Sequence, residues 1–358
     1  MYGRQGLEDI LFLMLYGGAG FLAVAAGLYL LLRRNNAVAS GVNSPLILRR
    51  WTAAFFGSMV LSHIWWYVLG NVWLTDDKLV RYMLTIALDR ITLVPLAFAV
   101  LLRMLQDRER KLWPWFFLHI PVVLAAAWGI ATRNEGAQTV MKIWQICVMV
   151  VFGGYYIRSL VQYSHWLNDN YADLQNKEVW QSLLFASCLF AIYSVYGSNM
   201  GQMLMEYLSQ VESFLVIGFF LWRVETLDTL EERDDVMPVD VAPVPTINIP
   251  ENIGKLLERK CEGDKLYLQH DLNLRQLALA IGTNRTYLSS YFAQQGETYN
   301  AYINRLRIDY FIRLYRENPT ATAQQLSWES GYSCYSTFAS VFKKMTGTNV
   351  TSWMKKNR

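Results

Sequence analysis

The sequence predicts an all-α protein in two parts: a polytopic membrane helix bundle of about seven spans, then a separate helical domain. Three observations predict this. Residues 1–222 contain seven long apolar runs rich in Trp, Tyr and Phe. Residues 237–250 hold four prolines in fourteen positions. Residues 251–358 are polar and mixed, and within them a pattern of capped helix, glycine turn and second helix occurs twice.

The apolar runs come first. A helix needs roughly 20 apolar residues to cross a bilayer. Ile10 to Leu32 is 23 residues without a charge. That is too long for the apolar core of a signal peptide, and Arg33 and Arg34 follow it rather than a small-residue cleavage site. It reads as a retained span. Six more runs follow: Trp51–Leu74, Met83–Leu102, Trp113–Ala131, Thr139–Ile157, Val179–Met200 and Met203–Trp222. Trp51, Trp73, Trp113, Trp115, Trp180 and Trp222 cluster near run ends, as an interfacial belt would. Trp65, Trp66 and Tyr67 sit nearer mid-span, where a pocket or plain packing could use them.

Lys and Arg in the short loops orient the bundle. Arg33, Arg34, Arg49, Arg50, Arg103, Arg108, Arg110, Lys111, Arg158 and Lys177 fall on one side, ten in all. The other side has five: Arg4, Lys78, Arg81, Arg133 and Lys142. The richer side is cytoplasmic, which puts the N-terminus outside. Seven spans then bring the C-terminal domain into the cytoplasm. A multi-pass location in the cytoplasmic (inner) membrane is expected.

Charged residues inside a bilayer are costly and face a partner or a cavity. Asp89 and Arg90 in the third run and Glu212 in the seventh are candidates for an intramembrane polar site. Neighbouring residues point about 100° apart on a helix, so Asp89 and Arg90 do not readily neutralise each other. Arg90 is expected to pair with Glu212. The pair would either line a pocket for a small-molecule or lipid ligand or simply fix helix register.

Val224, Leu227 and Leu230 recur every three residues after Trp222, which predicts a short helical continuation of the last span. The proline-rich stretch that follows is extended chain, reaching at most roughly 40 Å at about 3.1 Å per residue. The predicted division is therefore a membrane domain at 1–222, a connector at 223–250 and a cytoplasmic domain at 251–358.

Charge divides the same way. Residues 251–358 hold fifteen Lys and Arg against nine Asp and Glu, a net of +6, while the rest carries −2. A basic domain is compatible with nucleic acid. The chain has four cysteines and four histidines, none at metal-ligand spacing, so neither a metal nor a disulfide is expected.

In the C-terminal domain, Asn273-Leu-Arg-Gln276 reads as a capping box. Leu274, Leu277, Ala278 and Ile281 form an apolar face and Gly282 breaks it. Thr283 and Asn284 then cap a helix of about 285–294, ended by Gly296. A longer helix of about 299–317 follows, with Tyr302, Ile303, Leu306, Tyr310 and Leu314 inward, stopped by Asn318-Pro319. The first pattern then returns. Thr322 to Gln325 is a second capping box, Leu326 and Trp328 are apolar, Gly331 is the turn, and Ser333 caps a helix to Lys344. Each unit is a helix-turn-helix by pattern.

Two such units about 50 residues apart, joined by one long helix, resemble the AraC family of bacterial transcription regulators. The matching residues in the first unit are Leu274, Leu277, Ala278, Gly282, Tyr287-Leu288-Ser289 and Phe292. In the second they are Leu326, Glu329-Ser330-Gly331-Tyr332, Ser336-Thr337-Phe338, Phe342-Lys343-Lys344, Gly347 and Trp353. The resemblance covers residues 255–355. It implies two recognition helices entering successive major grooves of double-stranded DNA. By position the readers are Arg285, Thr286, Ser289 and Ser290, then Tyr335, Ser336, Ala339 and Ser340. Arg285 suits a bidentate contact to guanine, and Lys343 and Lys344 suit phosphates. Family members often carry Arg at Ser290 and Ser340 and a basic residue at Ala293, and Pro is usual at Val350. Fewer charges predict weaker phosphate binding, which a homodimer and membrane confinement would offset.

The resulting expectation is a membrane-anchored one-component regulator whose bundle senses a signal. A helix-turn-helix pair used for protein contacts is the bland alternative. A transporter- or channel-like bundle with an attached regulatory domain is another, although no internal repeat supports it. An enzyme is not expected: no His-Glu-x-x-His, Gly-x-Ser-x-Gly or phosphate-binding loop occurs, and no cofactor is implied.

Overall fold

The structure is a computed structural model that describes residues 7–33, 35–39, 41–70, 77–187, 202–230 and 249–357. Among them the fold is all-α, with no strand. The chain forms two compact units, one of Met1–Val161 with Val179–Glu231, the other of Gln162–Glu178 with Glu232–Arg358. The expected division at 222 and 250 leaves 162–178 in the membrane part, whereas here that stretch is built into the second unit.

The first unit contains α1 (Leu7–Leu32), α2 (Leu46–Gly70), α3 (Lys78–Arg103), α4 (Trp113–Phe117), α5 (Ile120–Thr132), the first part of α6 (Gly136–Asn170) and α7 (Gln202–Thr226). Five stretches are long and apolar enough to cross a membrane: Ile10–Leu32, Leu46–Leu69, Lys78–Arg103, Trp113–Thr132 and Gly136–Asn170. They correspond to the first five expected spans. Most of the sixth falls on 188–201, outside the described residues, and α7 is not among the five. The count of seven is therefore not established.

Two spans differ from their sequence pattern. The fourth is not one helix: it breaks at Leu118 and His119 between α4 and α5. Pro121 is the cause, since it has no N–H to donate one turn back. The fifth is longer than its apolar core. Its 35 residues run about 52 Å at 1.5 Å each, against roughly 30 Å of hydrocarbon. About 20 Å of α6 therefore extends past the lipid.

A buried polar knot closes one end of this unit. Arg49 and Glu225 are 2% and 1% exposed and lie 3.5 Å apart. Arg49 also donates to Asn36 Oδ1 at 3.0 Å and to the carbonyl of Arg33. Asn36 in turn donates to the carbonyls of Val42 and Glu225. The knot ends α7 at Thr226, so the expected helical continuation through Leu230 does not form. Leu227 and Leu230 are buried in non-helical chain instead.

The second unit opens with α8 (Ile249–Leu256), which widens into a π-helical turn at Leu257–Gly263. Then come α9 (Leu274–Ile281), α10 (Arg285–Gln295), α11 (Tyr299–Glu317), α12 (Ala323–Glu329), α13 (Tyr335–Thr346) and α14 (Val350–Lys356). The capping box of Asn273 and Gln276 forms as expected. Asn284 caps α10 through a bond from the Tyr287 amide. The second box is only half made: Thr322 accepts from the Gln325 amide, but the Gln325 side chain turns to Glu329. Cys334, not Ser333, occupies the cap position of α13 and makes no side-chain capping bond.

Helix α11 is shared by two cores, and this corrects its expected inward face. Tyr299, Tyr302 and Ile303 belong to a cluster with Leu277, Leu288 and Phe292. Ile308, Phe311 and Tyr315 belong to another with Leu326, Phe338 and Phe342. Leu306, Tyr310 and Leu314 are only partly buried at the margins. A helix buried on different sides along its length has no single apolar stripe.

Arg307 sits between these cores with no exposed surface. Its Nε donates to the carbonyl of Tyr267 at 2.7 Å, and a terminal nitrogen to those of Gln269 (2.7 Å) and His270 (3.3 Å). Its guanidinium carbon is 5.4 Å from the centre of the Tyr332 ring. Burial pulls its pKa below the usual arginine value, and the carbonyl dipoles and ring face compensate the charge.

Two glycines with positive φ separate strain from crowding. Gly282 (φ +80°) has open space where a Cβ would go, whereas at Gly331 (φ +87°) a Cβ would meet the Leu268 carbonyl oxygen at 2.8 Å. Gly282→Ala is expected to cost about 1–2 kcal/mol from backbone strain alone. Gly331→Ala adds overpacking and should cost about 2–4 kcal/mol. Urea-dependent loss of amide protection in α11 and α13 measures both; equal costs would contradict the Leu268 contact.

Candidate nucleic-acid interface

The two recognition-type helices are α10 and α13. Each is anchored inward by apolar residues one turn apart: Leu288 and Phe292 in α10, Phe338 and Phe342 in α13. That spacing fixes which residues face out. Thr286, Ser290, Tyr335, Ser336, Ser340, Lys343 and Lys344 are exposed. Arg285, Ser289 and Ala339 are half-buried.

The helix preceding each of these braces it differently. Helix α9 is short and mostly buried on its apolar face. Helix α12 presents Trp328 outward, 58% exposed, although the sequence reading placed it with the apolar residues. Its indole stacks on His270 at 4.1 Å and borders a cleft of about 280 Å³ with Gln324, Tyr332 and Tyr335.

Arg285 is half-buried because it already has partners. Its Nε donates to Asn170 Oδ1 at 2.8 Å, and its guanidinium lies 5.9 Å from the centre of the Trp166 ring. The extended tail of α6 was not foreseen beside this surface. Its apolar pattern ends before 162, and nothing in the sequence pairs it with residues more than a hundred positions away.

The intramembrane candidates do not assemble as expected. The Asp89 carboxylate accepts from Ser62 Oγ (2.6 Å), Trp65 Nε1 (3.0 Å) and Trp66 Nε1 (2.7 Å). The spacing of Ser62, Trp65 and Trp66 puts them on one face of α2. Arg90 donates to the carbonyl of Met141 at 2.6 Å. Among the ion pairs of the described residues, none joins Arg90 to Glu212. These bonds tie Asp89 to donors on α2 and Arg90 to backbone on α6. A buried pair of this unit is Arg49–Glu225, which the sequence reading divided between a loop charge and a connector.

Residues 277–356 match the family model of a helix-turn-helix domain, the AraC-type one. This part of the chain is thus an AraC-type helix-turn-helix domain, which points to DNA-binding transcription regulation. The match leaves the N-terminal helices uncovered. No curated protein and no solved structure is similar enough to match the chain. Among the described residues no group of His, Cys, Asp or Glu could hold a metal ion.

Two thiols report on this unit from opposite environments. Burial pushes the Cys261 thiol up to about 12. The Ser336 hydroxyl beside Cys334 holds that thiol below its usual value. A lower pKa means more thiolate at a given pH, and thiolate is the reacting species. At about pH 8, iodoacetamide should label Cys334 readily and leave Cys261 unlabelled until the unit unfolds. Peptide mass mapping checks this, and equal labelling of both would contradict the burial of Cys261.

Proposed function

We propose that this protein is a membrane-anchored one-component transcription regulator that binds promoter DNA in the major groove through α10 and α13. The observation that carries the reading is the pair of matched helix-turn-helix units with their reading helices facing out, in a chain with five membrane-length apolar helices. The N-terminus lies outside and the C-terminal domain in the cytoplasm of a bacterial inner membrane, which the loop excess of Lys and Arg supports. The membrane domain (1–222) senses the signal, a small molecule or lipid, and the connector (223–250) passes it to the DNA-binding domain (251–358). Thr286, Ser289, Ser290, Tyr335, Ser336, Ala339, Ser340 and Arg285 face base edges, while Lys343 and Lys344 hold phosphates. The protein acts as a homodimer, which compensates for a reading surface with few cations.

Chromatin occupancy of the tagged full-length protein, with membrane and soluble fractions probed together, tests this. Discrete promoter peaks with the intact chain in the membrane are expected. Peaks accompanied by a soluble C-terminal fragment of about the size of 240–358 would replace action from the bilayer with proteolytic release. Absence of peaks under every growth condition would favour a helix-turn-helix pair used for protein contacts.

The double substitution Lys343→Ala, Lys344→Ala checks the division between positioning and reading. Both side chains are exposed in the last turn of α13. Affinity should fall uniformly across DNA sequences, and the slope of log K against log salt should lessen by about two. A selective loss at one operator position would assign these lysines to base reading instead.

A further inference from the structure

The segment that follows the lipid-length part of α6 lies on the reading side of the second unit, a feature the proposed function does not use. Its contacts run from one recognition helix to the other. Trp166 and Asn170 engage Arg285, the first residue of α10. Tyr171 pairs its backbone with Asn273 as an isolated antiparallel bridge. The carbonyls of Tyr171 and Ala172 accept from Asn300 Nδ2 at 3.0 and 2.8 Å, and that of Ala172 also accepts from Asn304 Nδ2 at 3.0 Å. Ala172 is 2% exposed within the core of the first helix-turn-helix unit. Gln175 Oε1 then accepts from Thr337 Oγ1 at 3.0 Å, in the first turn of α13.

These are the ends that DNA must reach. In helix-turn-helix docking the N-terminal residues of the recognition helix contact base edges. A guanidinium resting on an indole with its Nε engaged is not presented to a guanine. Charge points the same way. Residues 166–177 contain Asp169 and Asp173 against one cation, Lys177, a net of −1. A segment that helped hold DNA would be basic, because phosphate contacts supply most of the non-specific affinity. This one carries no excess of cations.

We propose that residues 166–177 are an autoinhibitory clamp, which competes with DNA for the N-terminal ends of α10 and α13. The inference rests on the DNA-binding reading above. Coupling to the membrane is built in. Trp166 and Asn170 belong to the last turns of α6, a helix continuous from Gly136. A shift of that helix along its axis moves the clamp without any intermediary. The signal then acts by releasing the DNA-binding domain.

The test uses the full chain in detergent micelles and a fluorescein-labelled mixed-sequence duplex of about 40 base pairs, roughly four turns. Asn170→Ala with Gln175→Ala removes the two side-chain bonds to Arg285 and Thr337. Duplex affinity by anisotropy is expected to rise about five- to tenfold, the scale of two modest hydrogen bonds. A second measurement needs no variant. On adding duplex to the wild-type chain, hydrogen exchange should show α10 and α13 gaining protection while 170–175 loses it. Duplex binding with 170–175 still protected, or a lower affinity in the variant, overturns the clamp alone and makes the segment a brace. No binding by either protein overturns the clamp together with the DNA-binding reading.

Discussion

The guanidinium of Arg307 is the fixed point of the DNA-binding unit. It is buried at the middle of α11, where the two cores meet, and it gathers three carbonyls from 267–270 around itself. That stretch is what Gly331 packs against in the turn of the second unit. One charge therefore sets how the turn of the second helix-turn-helix lies against the chain leading into the first. Lysine could not substitute, since a planar fork serves divergent acceptors that a single ammonium cannot reach together. An apolar side chain would take the Arg307 bond from the carbonyls of Tyr267 and His270, each a penalty of about 1–3 kcal/mol, and leave that of Gln269 with the Leu272 amide alone. The angle between the two recognition helices, and hence any operator spacing, follows from this arrangement.

Much of the second unit was legible because its signals are local. Asn273 with Gln276, Asn284, and the glycines at 282, 296 and 347 each act within a few residues, and each ends or starts a helix where the sequence places it. The inward faces of α10 and α13 follow from one-turn spacing of Leu288, Phe292, Phe338 and Phe342. What was not legible depends on contacts far apart in sequence. The inward face of α11 could not be read as one stripe, because Phe311 and Ile303 serve different cores. Helix α8 and its π-helical turn carry Ile253, Leu257 and Cys261 inward at four-residue spacing, a helical pattern that the sequence reading did not take up.

In the membrane unit, length and composition located helices, and chemistry between helices escaped them. Asp89 and the pair Trp65–Trp66 were each noticed separately. Only their spacing relative to a second helix shows that three donors surround one carboxylate. Arg49 was counted as a loop charge on the cytoplasmic side. Its pairing with Glu225 is set among contacts with Arg33, Asn36 and Ser44, which no hydropathy pattern encodes. Buried ion pairs of this kind are poor sources of stability but good at admitting a single arrangement. The knot thus accounts for the exact place where α7 gives way to irregular chain.

The outward faces of the two proposed reading helices carry mostly serine, threonine, alanine and tyrosine, and that choice bears on how a target is found. A protein with many phosphate contacts lingers on any DNA and scans along it. With two lysines at the end of one helix, residence on random sequence is brief, and sliding contributes little. A molecule confined to a bilayer cannot pursue a chromosome through the cytoplasm either. Under the proposed function the search is then carried out by the DNA, as loci drift to the membrane and away again. Regulation of a gene would depend on where that gene lies and how often its segment visits the envelope, as well as on the letters of its operator.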